Sequence, residues 1–133
     1  MTVLADTSVW VEYLRRGPIG PGAELDLLLA DGEVVMCGPV AAELLAGVDP
    51  ARRPELWPLL AGLPWADIGR IEWRRVGEVA AALRAIGQTV ALTDIEIAVA
   101  AAASGALLWS RDSDFDRVEA VLADLSRYPA AAS

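Results

Sequence analysis

Carboxylates and hydroxyls are the side chains in this chain that are best suited to do chemistry. The sequence has no His, a single cysteine at Cys37 and no Lys, because all 11 basic residues are Arg. These absences exclude a Ser-His-Asp triad, a His-ligated metal, a thiolate zinc site and Schiff-base chemistry. Carboxylates without imidazole favour a hard cation such as Mg²⁺ or Mn²⁺. We therefore expect any catalysis to depend on acids grouped around a divalent cation.

Two of the acids follow short apolar runs that are typical of buried strands. Asp6 comes directly after the first such run and is followed by Thr7 and Ser8, either of which is expected to cap the next helix. Asp112 lies in the segment that leaves the apolar run 106–109. Ligands bind where parallel strands end in an open α/β sheet. The pattern predicts that Asp6 and Asp112 meet at one edge of the sheet.

Two further acids are predicted near the starts of helices. Pro39 is well placed at the first position of a helix that contains Glu43 about one turn later. Thr93 and Glu96 form a predicted capping box, so Asp94 opens another helix. Each acid alone has an ordinary structural use as a cap, a helix-dipole partner or a solvated residue. Their joint arrangement is less easily explained in this way, because helix starts and strand ends lie at the same sheet edge.

The elements that must position these acids alternate between strands and helices. Apolar runs predict strands at 3–5, 34–37 and 106–109, and segments with helical periodicity lie between them. The order predicts an α/β fold, with a central mostly parallel sheet of four to five strands and helices on both faces. We interpret residues 1–133 as a single domain, with residues 128–133 forming a frayed tail.

Composition sets limits on the partners and the location of the protein. The net charge is −8, which does not by itself indicate a nucleic-acid-binding protein, although arginines could supply local positive patches. No run approaches the roughly 20 apolar residues that a membrane span needs. Asp6 and Glu12 interrupt the first apolar stretch, so we expect no signal peptide and a cytoplasmic location. The arginine candidates are Arg15-Arg16, Arg52-Arg53, Arg74-Arg75 and Arg111.

Four segments together resemble the PIN-domain family, and more closely its VapC-type toxins from bacterial toxin–antitoxin pairs. They are Leu4–Ser8, Val40–Leu44 with its Glu, Leu92–Ala98 and Leu107–Phe115. Each motif alone is weakly specific, but the four occur in the family's order and intervals over nearly the whole chain. One departure is Ser110, which stands where the family usually has Thr and keeps the hydroxyl. The resemblance predicts a single PIN-like domain.

The resemblance implies a Mg²⁺- or Mn²⁺-dependent endoribonuclease that hydrolyses phosphodiester bonds of RNA with a metal-activated water. In-line attack by water is expected to leave 5′-phosphate and 3′-hydroxyl ends. Glu43 is expected to bind a second ion or to hold a water. The implied catalytic residues are Asp6, Glu43, Asp94 and Asp112, the implied metal ligands are Asp6, Asp94 and Asp112, and the supporting residues are Thr7, Ser8, Ser110 and Asp114.

The same resemblance implies partners. A cognate VapB-type antitoxin is expected to cover the active groove with its C-terminal segment, which often carries an Arg that can pair with carboxylates. The acidic balance of this chain suits a basic partner. RNA as the substrate, a homodimer and no membrane contact complete the expectation.

Two alternatives stay open at the level of sequence. The first is a PIN fold that only binds and has no catalytic activity, against which the presence of all four acids argues. The second is an aspartyl-phosphate receiver or phosphatase, which also gathers acids at strand ends. Receivers need a Lys, which this chain lacks, and the phosphatases need a second Asp at the position of Ser8.

Overall fold

The fold is built on a four-stranded parallel sheet, seen in a computed structural model that describes residues 1–129. The strands lie in the order β2-β1-β3-β4, and every neighbouring pair is parallel. The α/β class and the parallel sheet of four to five strands are therefore confirmed. The strands are β1 (Val3–Ala5), β2 (Val34–Val35), β3 (Leu107–Trp109) and β4 (Ser126–Arg127).

Seven helices connect and cover these strands within residues 1–129. None of them is both long enough and apolar enough to cross a membrane. The first and second helices pack against each other, and so do the fifth and sixth. The helices are α1 (Thr7–Arg16), α2 (Pro21–Ala30), α3 (Gly38–Gly47), α4 (Arg53–Ala61), α5 (Arg70–Ala85), α6 (Leu92–Ser104) and α7 (Asp114–Val121).

The central strand β1 is buried at every residue. Because successive side chains of a strand point to opposite faces, both faces of the sheet must be covered there. Strand β1 pairs with β3 in a register that sets Ala5 beside Trp109. The residues that follow, Asp6 and Ser110, therefore leave the sheet side by side. Strand β1 leads to β2 on one side and has β3 on the other, so this edge is the switch point where α/β sheets bind ligands.

Helix α6 carries Asp94 to the same edge because it is packed into the core. Its residues Ile95 and 97–101 are buried, and the alanines among them have too little side chain to keep the helix away from its neighbours. Gly105 ends the helix with a left-handed conformation at φ 72°, which glycine adopts without a steric cost. The N-terminal end of α6 is therefore held in place while its first turn stays accessible.

The helix caps differ from the prediction. Asp6, not Thr7 or Ser8, caps α1, and its carboxylate accepts the backbone N–H of Val9. Helix α6 begins at Leu92, without a side-chain cap, so the predicted capping box is wrong. A carboxylate that ends a strand can turn back onto the following helix, which frees the hydroxyls behind it for other partners.

The C-terminal segment also differs, since β4 was not predicted and Tyr128 is anchored. The Tyr128 ring packs edge-on against Trp109 with centroids 5.2 Å apart, and its hydroxyl donates to Glu24 at 3.0 Å. The predicted frayed tail therefore does not begin at residue 128. Its residues 130–133 lie outside the described part of the chain. The interpretation of residues 1–133 as one domain stays a prediction.

Candidate metal centre

Asp6 is the one charged side chain among residues 1–129 that is buried, with 5% of its surface exposed. Its Oδ1 accepts the Ser8 hydroxyl at 2.6 Å and the Val9 N–H at 3.3 Å. Its Oδ2 accepts the Ser110 hydroxyl at 2.5 Å. A carboxylate oxygen has two lone-pair sites. Oδ1 is therefore fully used by the protein, whereas Oδ2 keeps one lone pair for a ligand.

The turn after β3 is fixed by a chain of hydrogen bonds that starts from Asp6. Ser110 donates to Asp6 through its hydroxyl, and the same oxygen accepts the backbone N–H of Asp112 at 2.9 Å. Asp112 Oδ1 accepts the backbone N–H of Asp114, also at 2.9 Å. Two of these hydrogen bonds join residues that are two positions apart, and the bond from Ser110 to Asp6 ties the turn to the end of β1. The result is that Asp112 and Asp114 are held beside the end of β1.

Three carboxylates converge at this edge of the sheet. Asp94, Asp112 and Asp114 each offer one oxygen, and these oxygens all lie within 4.8 Å of one another. Asp112 is exposed, while Asp94 and Asp114 are partly buried. Arg117 lies on the outer side and pairs with Asp114 Oδ1 at 3.0 Å. The turn that bears Asp112 and Asp114 is thus held by hydrogen bonds, while the carboxylate of Asp112 is open to solvent.

The pKa of Asp94 is raised both by burial and by the acids around it. Burial raises this pKa from 3.8 to about 6, and the charges of Asp112, Asp114, Glu43 and Asp6 add to the increase in that order. All four acids predicted from sequence, together with Asp114, therefore contribute to one negative field. Like charges held this close destabilise the charged form of each partner unless a cation is present.

Glu43 lies on α3 and is exposed, and its Oε1 accepts the Thr7 hydroxyl at 2.7 Å. Glu96 was predicted only as the last residue of a capping box, and not as an acid near the site. Burial and the charge of Glu43 raise the pKa of Glu96. Glu96 is thus close enough to Glu43 for the two charges to repel each other. The signal available in the sequence was its place two residues after Asp94.

The donor set fits a hard divalent cation. The acids of the cluster and the hydroxyls beside Asp6 offer only oxygen ligands, which suit Mg²⁺ and Mn²⁺. Two oxygens on opposite sides of a Mg²⁺ ion would be about 4.2 Å apart, from metal–oxygen distances near 2.1 Å. Oxygens at adjacent positions of the same ion would be about 3 Å apart, so the three oxygens, all within 4.8 Å of one another, can reach one ion by rotation of their side chains. The lone Cys37 is buried, and burial raises the pKa of its thiol to about 11, so it is no metal ligand.

The composition of the cluster differs in one position from the predicted ligand set. The prediction placed Asp6 with Asp94 and Asp112 and left Asp114 peripheral, whereas the closest group contains Asp114 and does not contain Asp6. The reason is that Asp6 is turned toward Ser8, Val9 and Ser110, which occupy three of its lone pairs. Asp6 still lies near enough to raise the pKa of Asp94.

A groove of about 310 Å³ lies between α1 and α3 and reaches Glu43. Its lining is mixed, because the charged residues Arg15, Arg52, Glu43 and Asp49 lie along it beside apolar side chains. A second, smaller groove continues it toward α4, where Leu59 is 43% exposed. The apolar residues of the first groove, which we call the α1–α3 groove, are Val11, Leu14, Leu44 and Val48.

Comparison with known proteins gives matches over most of the chain. The family model of the PIN domain matches residues 3–121. Ribonuclease VapC11 of Mycobacterium tuberculosis is 36% identical over 119 residues, which cover 86% of this chain and 89% of that protein. VapC ribonuclease Mb1587 of Mycobacterium bovis matches with the same identity and coverage.

Solved structures with the same fold are more distant in sequence. A chain in the crystal structure of VapBC2 from Rickettsia felis, bound to a DNA fragment from the promoter, superposes with a TM-score of 0.77 at 22% identity. That match covers 96% of this chain and 97% of the other. VapBC-1 from nontypeable Haemophilus influenzae gives a TM-score of 0.74 at 21% identity, covering 96% of both chains.

Proposed function

Because the chain belongs to the PIN-domain family, as its motifs predicted, we propose that it is a divalent-metal-dependent endoribonuclease. We propose further that it is the toxin of a VapBC-type toxin–antitoxin pair. Curated relatives that carry the name VapC ribonuclease share 36% of its residues over 86% of the chain, which supports this assignment. An RNA substrate would also agree with the cytoplasmic location expected from the sequence.

One observation carries the proposal beyond family membership. Asp94, Asp112 and Asp114 present oxygens within 4.8 Å of one another, beside the buried Asp6 at the switch point of the sheet. Burial, and after it the charges of the neighbouring acids, raise the pKa of Asp94 to about 6. A fold that keeps such an arrangement gives up stability in the absence of a cation. A cation-binding role accounts for this cost, whereas a purely structural role for these acids does not.

The residues have distinct roles in the proposed reaction. Asp94, Asp112 and Asp114 would hold the cation, with Asp6 contributing the free lone pair of Oδ2. A divalent ion bound there would lower the pKa of water and neutralise negative charge that develops on the scissile phosphate. Ser110 keeps Asp6 and the turn that bears Asp112 in register through its two hydrogen bonds. Mg²⁺ or Mn²⁺ is the proposed ion.

Glu43 is the remaining acid of the proposed catalytic set. Its carboxylate is exposed and accepts one hydrogen bond from Thr7, so it keeps three lone-pair sites for a water or a second ion. The hydrogen bond orients the carboxylate across the gap between α1 and α3. With no His in the chain, hydrolysis by water is the proposed route, and the products carry 5′-phosphate and 3′-hydroxyl ends.

The α1–α3 groove is the proposed site for the antitoxin. The apolar side chains of its lining suit a partner helix or segment with apolar side chains, and the groove leads to Glu43 and the acids beyond. A basic side chain on that segment, such as Arg, would pair with the carboxylates. The net charge of −8 favours a basic partner. A homodimer is also proposed, for which light scattering of the purified chain at micromolar concentration is the test.

The proposal is tested by incubating total RNA with the purified protein and either Mg²⁺, Mn²⁺ or EDTA. We expect cleavage only with a divalent ion, and 5′-phosphate ends that a ligation-based assay detects. Asp6→Asn should abolish cleavage while the far-ultraviolet circular dichroism stays that of a folded protein. Asp31→Asn, on the α2–β2 turn, is the matched control and should cleave like the wild type.

The same experiment decides between the nuclease and the alternatives. A folded protein that binds RNA but never cleaves it, with any divalent ion, would favour the catalytically silent binding module. Labelling by acetyl phosphate would favour the receiver or phosphatase. Cleavage that persists in EDTA or leaves 2′,3′-cyclic phosphate ends would contradict the metal-dependent mechanism.

A further inference from the structure

The arginines of this chain fall into two groups. Six of the 11 are occupied by partners. Five have no ion pair and no side-chain hydrogen bond to residues 1–129. The occupied arginines are Arg16, Arg53, Arg74, Arg75, Arg117 and Arg127, and the others are Arg15, Arg52, Arg70, Arg84 and Arg111.

Arg111 differs from the other four in its position between two residues of the site. Ser110 on one side donates to Asp6, and Asp112 on the other belongs to the carboxylate cluster. The backbone N–H of Asp112 bonds back to Ser110, so the main chain on both sides of Arg111 is fixed. Arg111 is nevertheless exposed and makes no ion pair with the nearby acids of the described chain. A cation is thus displayed to solvent at the rim of a strongly negative site.

The inference rests on the proposed nuclease function and concerns the path of the RNA strand. A cation in the cluster would compensate the charge of the scissile phosphate alone. The next phosphate along the strand would meet the field of Asp94, Asp112 and Asp114 without compensation, and phosphate contacts supply most of the sequence-independent affinity for nucleic acids. A guanidinium matches a phosphate with two parallel hydrogen bonds.

We propose that Arg111 binds the RNA phosphate adjacent to the scissile one, and so holds the strand across the acids. Arg117 does not serve this purpose, because Asp114 already occupies its guanidinium at 3.0 Å. Arg15 and Arg52 line the α1–α3 groove, which is the proposed site for the antitoxin. Arg111 is therefore a substrate-binding residue whose contact is independent of base identity.

Binding is measured by fluorescence anisotropy with a labelled single-stranded RNA in Mg²⁺. The Asp94→Asn protein serves as the uncleaving background. Adding Arg111→Ala should weaken binding about tenfold at low salt. It should also reduce the slope of log affinity against log salt by about 0.7, the value for one lost contact to a single strand. Arg111→Lys should keep the slope, since lysine also binds phosphate as a point charge.

Arg70 provides the matched control, because it is exposed, has no partner within residues 1–129 and begins α5. The 16 residues of α5 span about 24 Å at 1.5 Å per residue, which places Arg70 far from the end that leads to α6. Arg70→Ala should leave both affinity and slope unchanged. In the active protein, Arg111→Ala should raise KM about tenfold with kcat changed less than twofold.

Two results would overturn the inference while the nuclease assignment stands. One is an unchanged salt slope and KM in Arg111→Ala. The other is an equal loss in Arg111→Lys and Arg111→Ala, which would indicate a role in shaping the turn instead of a charge contact. Failure of the wild type to cleave RNA with any divalent ion would instead count against the proposed function, and the binding measurement would still report on Arg111.

Discussion

Replacing Asp94 with Asn should make the protein more stable without metal and less stable with it. In the metal-free protein, partial burial of the Asp94 carboxylate raises its pKa to about 6, and the charges of Asp112, Asp114, Glu43 and Asp6 add to this increase. Asn has the same shape and no charge, so the substitution removes the repulsion without creating a cavity. The substitution also removes a proposed metal ligand, so a divalent ion should stabilise the variant much less than the wild type.

The size and the pH range of the effect follow from linkage. Between pH 3.8 and about 6 the folded protein keeps the Asp94 proton that the unfolded chain has lost, so stability falls as pH rises through that range. The full rise in the pKa of Asp94, from 3.8 to about 6, corresponds to about 3 kcal/mol of folding free energy. Because Asp94 is partly exposed, screening by solvent and salt should reduce it to about 1–1.5 kcal/mol. The increase in the free energy of unfolding caused by Asp94→Asn should therefore be near zero at pH 4 and reach its full size above pH 7.

A divalent metal ion should make the wild type more stable than Asp94→Asn. A divalent ion at about 100 times its dissociation constant adds about 2.7 kcal/mol to the wild type. If Asn weakens binding about 100-fold, the same concentration adds only about 0.4 kcal/mol to the variant. For a chain of 133 residues, each kcal/mol shifts Tm by about 3–4 °C. At pH 7 Asp94→Asn should melt about 4 °C above the wild type in EDTA and several degrees below it in Mn²⁺.

The assay is thermal unfolding followed by circular dichroism from pH 4 to pH 8, with EDTA or with a titration of Mn²⁺. Asp67→Asn, in the exposed segment before α5, is the control that removes one carboxylate at the surface. The reasoning would be refuted if Asp94→Asn were less stable than the wild type in EDTA at pH 7. A difference between the two that does not change with pH would refute it as well.

Three further predictions concern the groups around the cluster. Ser110→Ala should lower the free energy of unfolding by about 1–2 kcal/mol in urea and reduce cleavage, because buried Asp6 loses a donor; Ser110→Thr should restore both. Thr7→Val should leave stability within about 0.5 kcal/mol but lower kcat severalfold, since Glu43 loses its orienting hydrogen bond, and Thr7→Ser should retain wild-type kcat. Asp114→Asn should weaken Mn²⁺ binding about tenfold by calorimetry, whereas Asp116→Asn, outside the cluster, should not; equal affinities in the two would contradict the ligand role of Asp114.

The sequence predicted the class of the fold because its signals are local. Short apolar runs ending in Asp6 and before Ser110 marked β1 and β3, and the alanine-rich stretch after Asp94 marked α6. The family assignment was confirmed through the same motifs, as the family model covers residues 3–121. Strand β4 was missed because Ser126 and Arg127 carry no apolar pattern, and they are a strand only because β3 pairs with them.

The assignment of caps was less successful, because several residues compete for the same backbone groups. Thr7 and Ser8 are good N-cap residues by type, yet Asp6 takes that place and the two hydroxyls bond to carboxylates instead. The same competition affected Glu96, whose match to a capping box concealed its position near Glu43. Local patterns do not reveal which of several suitable partners lies closest in three dimensions.

By itself the sequence determined which chemistry is open to this protein. A chain without His or Lys, and with one buried Cys, has little beyond oxygen ligands to offer a metal, and its four motifs identified the family and predicted four acids for the site. Only the tertiary structure decided how those acids share the site. Hydrogen bonds turn Asp6 away from the cluster, Asp114 joins Asp94 and Asp112, and Arg111 has no ion pair with any acid of residues 1–129. The physical reason is that residue type fixes what a side chain can bind, whereas the backbone around it fixes which partners it meets.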